Sequence, residues 1–173
     1  MTGYRQQTGY TLIEMIIAIV ILGLLGAAAG YGLQNGALAF VNTTDAVHTL
    51  GKLRPASERL AREIREIRRD PLTPAVYDIA TMNTTTLTFT RADGTGVTLS
   101  SAPPLVTLAY SAPTGIHTLT DTVSSLTFAY YQADGVTPAT GSGDVAFVEF
   151  ELVLSQNGNT YPQRTRVALR NRS

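Results

Sequence analysis

The sequence predicts an α+β protein in which one long N-terminal helix packs on a mostly antiparallel β-sheet. Three features support this prediction: an uncharged apolar stretch near the N-terminus, a helical pattern that continues after it, and short alternating runs separated by turn residues in the second half. The 173 residues suffice for one packed domain. The chain has no Cys, and its 13 basic residues balance 13 acidic ones, which excludes disulfides, Cys-ligated metals and a strongly basic nucleic-acid interface.

The apolar stretch predicts a membrane-spanning helix. No residue from Met15 through Thr44 is charged, and the most apolar part, Met15–Leu33, spans about 28 Å as a helix, close to the hydrocarbon thickness of a bilayer. Arg5 precedes the stretch, and the next Lys or Arg is Lys52. The positive-inside rule therefore places the N-terminus in the cytoplasm and the rest of the chain outside.

Glu14 stands at the start of this stretch, where a lone carboxylate at membrane depth costs about 2.5 kcal/mol or more. Such a carboxylate needs a cationic partner, unless it lies in the headgroup zone and snorkels to water. The alternatives for the stretch are a buried core helix and a secretory signal cleaved after Ala29, because Ala27-Ala28-Ala29 resembles a small-residue cleavage site. A plain signal peptide has no use for Glu14, which favours the membrane helix.

The segment Gly9–Glu14 (GYTLIE), followed by the apolar stretch, resembles the processing site of type IV prepilins and type II secretion pseudopilins. The resemblance implies that a prepilin peptidase cuts after Gly9, that residues 1–9 are a leader peptide, and that the new N-terminus at Tyr10 is N-methylated. Residues 10–33 then form the transmembrane and filament-core helix. In that context Glu14 faces the charged amine of a neighbouring subunit's Tyr10, and the pair sets the register of subunit addition.

Five glycines lie within fourteen residues of the membrane stretch and its continuation. The spacings Gly26/Gly30 and Gly32/Gly36 are typical of helices that approach each other closely. Simple tolerance of glycine in membrane helices is an equally weighted alternative. The glycines also lower helix propensity, which favours local melting during assembly.

Residues 34–70 predict an amphipathic helix. An apolar stripe at helical spacing, with Ser57 in its gap, marks the face that packs on the globular part: Leu50, Leu53, Leu60, Ile64 and Ile67. Pro55 should kink or restart the helix, and Asp70-Pro71 should end it. The opposite face of the helix is interpreted as solvated, and the alternative is a contact face for neighbouring subunits. On this face Glu58 and Arg62 have the favourable i,i+4 order of an ion pair. The face comprises Glu58, Arg59, Arg62, Glu63, Arg65, Glu66, Arg68 and Arg69.

Residues 71–173 predict a β-rich globular domain, which the orientation of the membrane helix places in the periplasm. The runs that alternate in polarity between turn residues are predicted strands: Thr85–Arg91, Val97–Ser101, Leu105–Tyr110, Val123–Tyr131, Val145–Ser155 and Tyr161–Arg170.

Two turn signals fix predicted hairpins. Asn157-Gly158 as a two-residue loop pairs Glu151 with Arg164 and Glu149 with Arg166 on one face, and mostly apolar residues on the other. The same register places Pro162 opposite Val153, in a pair that needs no N–H. For Asp93-Gly94, a three-residue loop, Asp93–Thr95, is preferred because it sets Phe89 against Leu99, and Arg91 against Val97.

The globular part offers little chemistry. The oxygen-rich segment from Asp134 to Asp144 is a weak calcium candidate without EF-hand spacing, and an ordinary flexible loop is favoured. His48 and His117 have no nearby catalytic or metal-ligand arrangement, so both are interpreted as structural or surface residues. We expect no enzyme activity, no cofactor and no bound metal.

The resemblance implies a minor pilin or pseudopilin that initiates or caps a filament. The run VSSLTFAYYQADG resembles a strand and turn of larger minor pseudopilins (the J-type, or a W-type minor pilin), and the missing Cys departs from many major pilins. Two further departures are Tyr10, where Phe or Met is commoner, and Tyr31, where many major pilins carry Pro. The implied partners are other pilin or pseudopilin subunits, the prepilin peptidase and methyltransferase, the inner-membrane assembly platform and membrane lipid; no nucleic acid is expected. The rival functions are a single-pass signal-anchored periplasmic binding domain and a secreted β-domain that begins at Gly30.

Overall fold

The computed structural model describes residues 9 and 11–169. Within that part of the chain, one long helix is followed by eight strands, which confirms the predicted α+β class. The elements are α1 Leu12–Arg65, β1 Ile79–Met82, β2 Thr86–Thr90, β3 Gly96–Ala102, β4 Leu105–Ser111, β5 Thr114–Thr120, β6 Val123–Tyr131, β7 Phe147–Gln156 and β8 Asn159–Ala168.

The strands form two antiparallel sheets in which each strand pairs with its neighbour in the sequence. The larger sheet has the order β1-β2-β3-β4-β5, and the smaller has the order β6-β7-β8. Hydrogen bonds join the smaller sheet to the β1–β2 loop of the larger one: the Phe128 N–H donates to the Thr84 carbonyl (2.7 Å), and the Tyr130 hydroxyl donates to the Asn83 carbonyl (2.9 Å). Burial raises the pKa of Tyr130, which keeps this hydroxyl protonated as a donor.

The chain divides into two units, Met1–Thr44 and Asp45–Ser173, and α1 contributes residues to both. In the first unit every described residue is exposed. By length and composition, α1 can cross a membrane, and its apolar part lies near the N-terminus.

The second unit contains the hydrophobic core, in which α1 side chains pack with both sheets. Leu53, Leu60 and Ile64 are buried as the stripe predicts, and Ser57 is buried between them. Leu50 was assigned to the wrong face, since it is 51% exposed and Thr49 is buried instead. The buried face of the helix continues from Leu53 back to Thr49, four residues earlier, and not to Leu50, three residues earlier. Leu50 therefore lies at the edge of this face and stays exposed.

The helix ends at Arg65, five residues before the predicted end at Asp70. The following backbone pairs with strand segments: the Arg68 N–H donates to the Thr90 carbonyl (3.0 Å), and Ile67 forms an antiparallel bridge with Arg91. These pairings satisfy the backbone outside a helix, which is why the helix stops early.

Pro55 does not restart the helix, because α1 is assigned without a break from Leu12 to Arg65. Leu53 and Ala56, on either side of Pro55, are both buried in the core. Tertiary packing therefore maintains the helix where the local preference of proline opposes it.

The sequence analysis missed two strands, β1 and β5. Both lie at the edges of the larger sheet. β1 has only four residues, and Ile116 of β5 is exposed, so neither shows the alternation of a half-buried strand. β7 begins at Phe147 rather than Val145, and the predicted end of the last strand, Arg170, lies outside the described residues.

The two hairpins had different outcomes. The Asn157-Gly158 hairpin has the predicted register, and both loop residues have the positive φ (49° and 80°) of a type I′ turn. The register predicted for the other hairpin is wrong, because Phe89 lies opposite Val97 rather than Leu99. Its loop is Ala92–Gly94, with Gly94 at φ 87° in the last position, where a three-residue hairpin loop requires a left-handed residue.

Candidate assembly site at the N-terminal helix

The N-terminal turn of α1 begins with a capping arrangement. The Glu14 N–H donates to the Thr11 hydroxyl (3.3 Å), and the Met15 N–H donates to the Thr11 carbonyl (3.2 Å). Thr11 is therefore the N-cap residue, and Glu14 stands three residues later, where a carboxylate is favoured by the helix dipole. The sequence analysis missed this role, although the spacing Thr-x-x-Glu is the signature of a capping box.

Glu14 is exposed, as are Leu12 and Ile13 on the same turn. Among residues 9 and 11–169, Glu14 forms no ion pair. Gly9 is described and exposed, whereas Tyr10 lies outside the described residues. Cleavage after Gly9, methylation of Tyr10 and pairing of Glu14 with a neighbour's amine therefore remain predictions.

Gly26 and Gly30 lie on an open part of α1. A Cβ atom built on either glycine has no heavy atom within 4 Å apart from its own helix and chain neighbours. Close packing at the Gly26/Gly30 spacing thus requires a helix from another chain, and it remains a prediction.

The salt bridges on the β7–β8 hairpin do not follow the cross-strand pairs of its register. Arg164 lies opposite Glu151, but its Nε binds Glu149 Oε1 (2.8 Å), and Arg166 Nη2 binds Glu149 Oε2 (2.8 Å). Glu151 and Arg164 are cross-strand neighbours as predicted, but in the described part of the chain Glu151 forms no salt bridge.

Burial explains why Arg164 and Arg166 both bind Glu149 rather than Glu151. Glu149 is only 6% exposed, whereas Glu151 is half-buried and keeps access to water. Arg166 also stacks over the Tyr131 ring (4.4 Å to its centre) and donates to the Gly135 carbonyl (2.7 Å), so the β6–β7 loop covers this pair. A carboxylate withdrawn from water gains more from two guanidinium groups than a hydrated one does.

Glu63 is buried, so its predicted place on the solvated face of the helix is wrong. It is 3% exposed, and its Oε1 binds Arg59 Nη2 (2.8 Å) and accepts a hydrogen bond from the Tyr110 hydroxyl (2.9 Å). Burial raises the pKa of Tyr110, and the hydrogen bond that Arg59 donates to Tyr110 raises the pKa of Arg59. Glu63, Arg59 and Tyr110 of β4 thus form a cluster around the buried Glu63 carboxylate.

The observed helical ion pairs also differ from the predicted one. Arg54 pairs with Glu58 (3.1 Å), and Arg59 pairs with Glu63, while Arg62 has no ion pair within the described ranges. Glu58 therefore pairs with the residue four positions before it rather than four after.

The candidate calcium loop uses its carboxylates locally. Asp134 Oδ1 accepts hydrogen bonds from the N–H groups of Val136 and Thr137 (both 2.9 Å), and its other oxygen accepts one from the Thr137 hydroxyl. The Thr137 hydroxyl is the main cause of a lowered pKa at Asp134. Asp144 accepts from the Thr140 hydroxyl (3.1 Å). Over residues 9 and 11–169, no group of three or more metal-ligating side chains is present.

Comparison with known protein families finds a match at the N-terminal segment of the chain. Residues 4–30 match the family model for the prokaryotic N-terminal methylation motif. No curated protein matches the chain. The motif supports a type IV pilin-like protein that is processed as a prepilin, and it implies cleavage by a prepilin peptidase and assembly with other pilin subunits. The apolar N-terminal helix fits a membrane-anchored pilin of this kind.

Proposed function

We propose that the chain is a minor pilin or pseudopilin subunit whose role is assembly rather than catalysis. A prepilin peptidase removes residues 1–9, and the new N-terminus at Tyr10 is methylated. Residues 10–33 then hold the subunit in the bacterial inner membrane, with the N-terminus in the cytoplasm and residues 71–173 in the periplasm. An assembly platform moves it into a type IV pilus or a type II secretion pseudopilus, which it initiates or caps.

The observation that carries this proposal is that the methylation motif continues into a helix whose described residues in the first unit are all exposed. Residues 4–30 match the motif, and residues 11–44 are all exposed. Full burial of one Leu or Ile side chain contributes about 1.5–3 kcal/mol, so this surface strongly favours lipid or neighbouring helices over water. A filament of packed N-terminal helices provides the second environment.

Glu14 gives the proposed assembly step its specificity. Cleavage after Gly9 leaves the Tyr10 amine directly before the N-cap residue Thr11, with Glu14 one turn inside the helix. A carboxylate and an amine that are each costly in apolar surroundings attract strongly when two subunits bring them together. The pair favours one axial register over others. The absence of Cys and the presence of Tyr31 favour a minor over a major subunit.

The test is co-expression of the full chain with a prepilin peptidase, followed by intact-mass measurement of the membrane fraction. We expect a chain that begins at N-methylated Tyr10, and we expect Gly9→Leu to remain at full length because the bulky side chain blocks the cut. A mature chain that begins at Gly30, or a wild-type chain that keeps Met1, contradicts the proposal.

A second measurement separates assembly from simple anchoring. The processed chain should co-purify in detergent with other pilin or pseudopilin subunits of the same cell. Correct processing without any such subunit would instead favour a signal-anchored binding domain.

A further inference from the structure

An open groove of about 680 Å³ lies within the second unit, between the part of α1 from Leu50 to Arg65 and strand β8. We propose that this groove binds an extended acidic segment of another protein, which adds a strand to the free edge of β8 and places carboxylates against Arg62 and Arg65. The inference goes beyond the assembly role and does not depend on it.

The groove has an apolar floor with polar walls. Leu50, Leu53 and Ala61 provide the floor, and the exposed Leu50 offers apolar surface to a ligand. Gln163 and Thr165 form the strand wall. They lie opposite the buried Leu152 and Phe150, on the inner side of the smaller sheet, so α1 leaves part of that side uncovered.

The charge of the groove selects an acidic ligand. Four charged side chains line it, and two of them, Arg54 and Glu58, neutralise each other at 3.1 Å. The guanidinium groups of Arg62 and Arg65 have no ion pair and no hydrogen bond to any residue the structure describes. Two guanidinium groups therefore remain available, and guanidinium groups bind carboxylates through paired hydrogen bonds.

Ser57 is a further polar residue of the groove lining. This residue is 5% exposed and lines the groove, yet its hydroxyl has no hydrogen-bond partner in the described ranges.

β8 is the outermost strand of its sheet, so one edge of it is unpaired within the described structure. Asn159 closes the hairpin opposite Gln156, and in an antiparallel ladder alternate residues then direct their N–H and C=O groups away from β7. Those residues include Pro162, which has no N–H, and Arg164 and Arg166, which have both groups. The edge can accept a strand beside Arg164–Arg166, next to the groove residues Gln163 and Thr165.

The spacing of the arginines specifies the ligand further. Side chains on one face of a strand are about 6.6–6.8 Å apart at i and i+2. Residues at i and i+3 on a helix, such as Arg62 and Arg65, have Cβ atoms about 5–6 Å apart. Two carboxylates separated by one residue in an extended segment therefore match the two arginines.

The test is selection from a display library of random seven-residue peptides against the full chain in detergent micelles. We expect enriched peptides to contain two Asp or Glu residues separated by one position. Enrichment without acidic residues, or no enrichment above an unrelated membrane protein, would overturn the proposal.

Charge variants then locate the site. The best selected peptide should bind at least about tenfold more weakly to Arg62→Gln/Arg65→Gln, and selection against Arg62→Glu/Arg65→Glu should enrich basic peptides instead. Arg62→Lys/Arg65→Lys keeps both charges and is the matched control, which should weaken binding less than the glutamine variant because it loses only the paired hydrogen bonds. Equal affinity for the wild type and the glutamine variant contradicts the proposal.

Modified peptides test strand addition without changing the protein. N-methylation at the alternate positions that face β8 removes hydrogen bonds and should weaken binding at least about tenfold, whereas N-methylation at the positions between them should change it little. Equal effects at both sets of positions rule out strand addition. Concentration-dependent dimers that the Arg62→Gln/Arg65→Gln change disrupts would identify a second copy of this chain as the occupant, which overturns the proposed partner.

Discussion

Two regions of one helix show how the same secondary structure acquires different roles. Residues 12–44 of α1 belong to the first unit and are all exposed, whereas residues 45–65 belong to the second unit and include eight buried positions. The first region is more apolar than the second, yet only the second has sheets of its own unit to cover it. Apolar character alone therefore does not predict burial within a chain, because burial requires a matching surface.

The change falls at Asp45, where the second unit begins. The Asn157 side-chain amide at the tip of the β7–β8 hairpin donates to the Asp45 carboxylate (2.6 Å), and Thr49, one turn later, is buried. Thr43 and Thr44 before this point, like Thr49 after it, donate their hydroxyls to carbonyls four residues back in the helix, so burial and not this hydrogen bond distinguishes Thr49. Within the second unit, Asp45 thus connects α1 to the β7–β8 hairpin.

The largest expected effect is that of truncation. We predict that removal of residues 1–33 yields a soluble monomer. Removal of residues 1–44 should also yield a soluble monomer, with the same thermal stability as the 34–173 fragment, because residues 34–44 are exposed. Size-exclusion chromatography and thermal unfolding of both fragments measure this. A 45–173 fragment that is insoluble while 34–173 is soluble would show that the second unit needs the helix before Asp45.

Core substitutions in the two regions should differ in size. Leu60→Ala should lower the free energy of unfolding of the second unit by about 2–5 kcal/mol, because Leu60 is fully buried and its loss leaves a cavity. Leu24→Ala is the matched control, since Leu24 is 68% exposed and lies in the first unit. Denaturant unfolding in detergent, followed by circular dichroism, should show no change for Leu24→Ala. Equal losses for both variants would contradict the division of the helix.

Two carboxylates on the second region test the buried cluster. Glu63→Gln should destabilise the second unit by about 1–3 kcal/mol, because it removes the charge that binds Arg59 at 2.8 Å in a buried site. Glu58→Gln, on an exposed pair, should change stability by less than about 0.5 kcal/mol. The measurement is thermal unfolding of the two variants beside the wild type, and a silent Glu63→Gln would show that the cluster adds nothing to stability.

Glu14→Ala should separate assembly from folding. We expect processing after Gly9 and the unfolding of the second unit to remain unchanged, while incorporation into filaments falls about tenfold or more, as loss of a partly desolvated charge pair implies. Recovery of partner subunits in detergent measures the effect. Unchanged recovery of partner subunits and an unchanged filament yield would rule out the pairing role of Glu14.

The smallest expected effect concerns Lys52 and Asp121, an exposed pair that joins α1 to the β5–β6 turn at 2.7 Å. The hydrogen bond from Lys52 lowers the pKa of Asp121, so the pair stabilises the fold above the unfolded pKa of about 3.9 and loses its effect as pH falls through the folded value. Asp121→Asn should therefore cost about 0.2–1 kcal/mol at pH 6, and this cost should disappear at a strongly acidic pH at which the Asp121 carboxyl is protonated in both states. Thermal unfolding at both pH values, repeated in high salt, measures this; a cost that persists at low pH contradicts the ionic origin.

The hairpins show how far local sequence determines the fold. Asn157-Gly158 fixes its loop length, and the alternation on both strands allows one register, so the pairing of Glu149 with Arg166 was predictable. At Asp93-Gly94 the loop could take either of two registers with the same inward faces. The left-handed Gly94 at the end of the loop decided between them.

The sequence by itself determined the α+β class, the methylation motif at the N-terminus, the membrane-length helix and the Asn157-Gly158 hairpin. Each of these depends on neighbours in the chain: a turn, a period, or an uninterrupted apolar run. Only the tertiary structure decided that Glu63 is buried, that Leu50 is exposed, that the helix ends at Arg65 and that both hairpin arginines bind Glu149. Those outcomes depend on which distant side chains and strands reach the helix and the sheet, and periodicity does not contain that information.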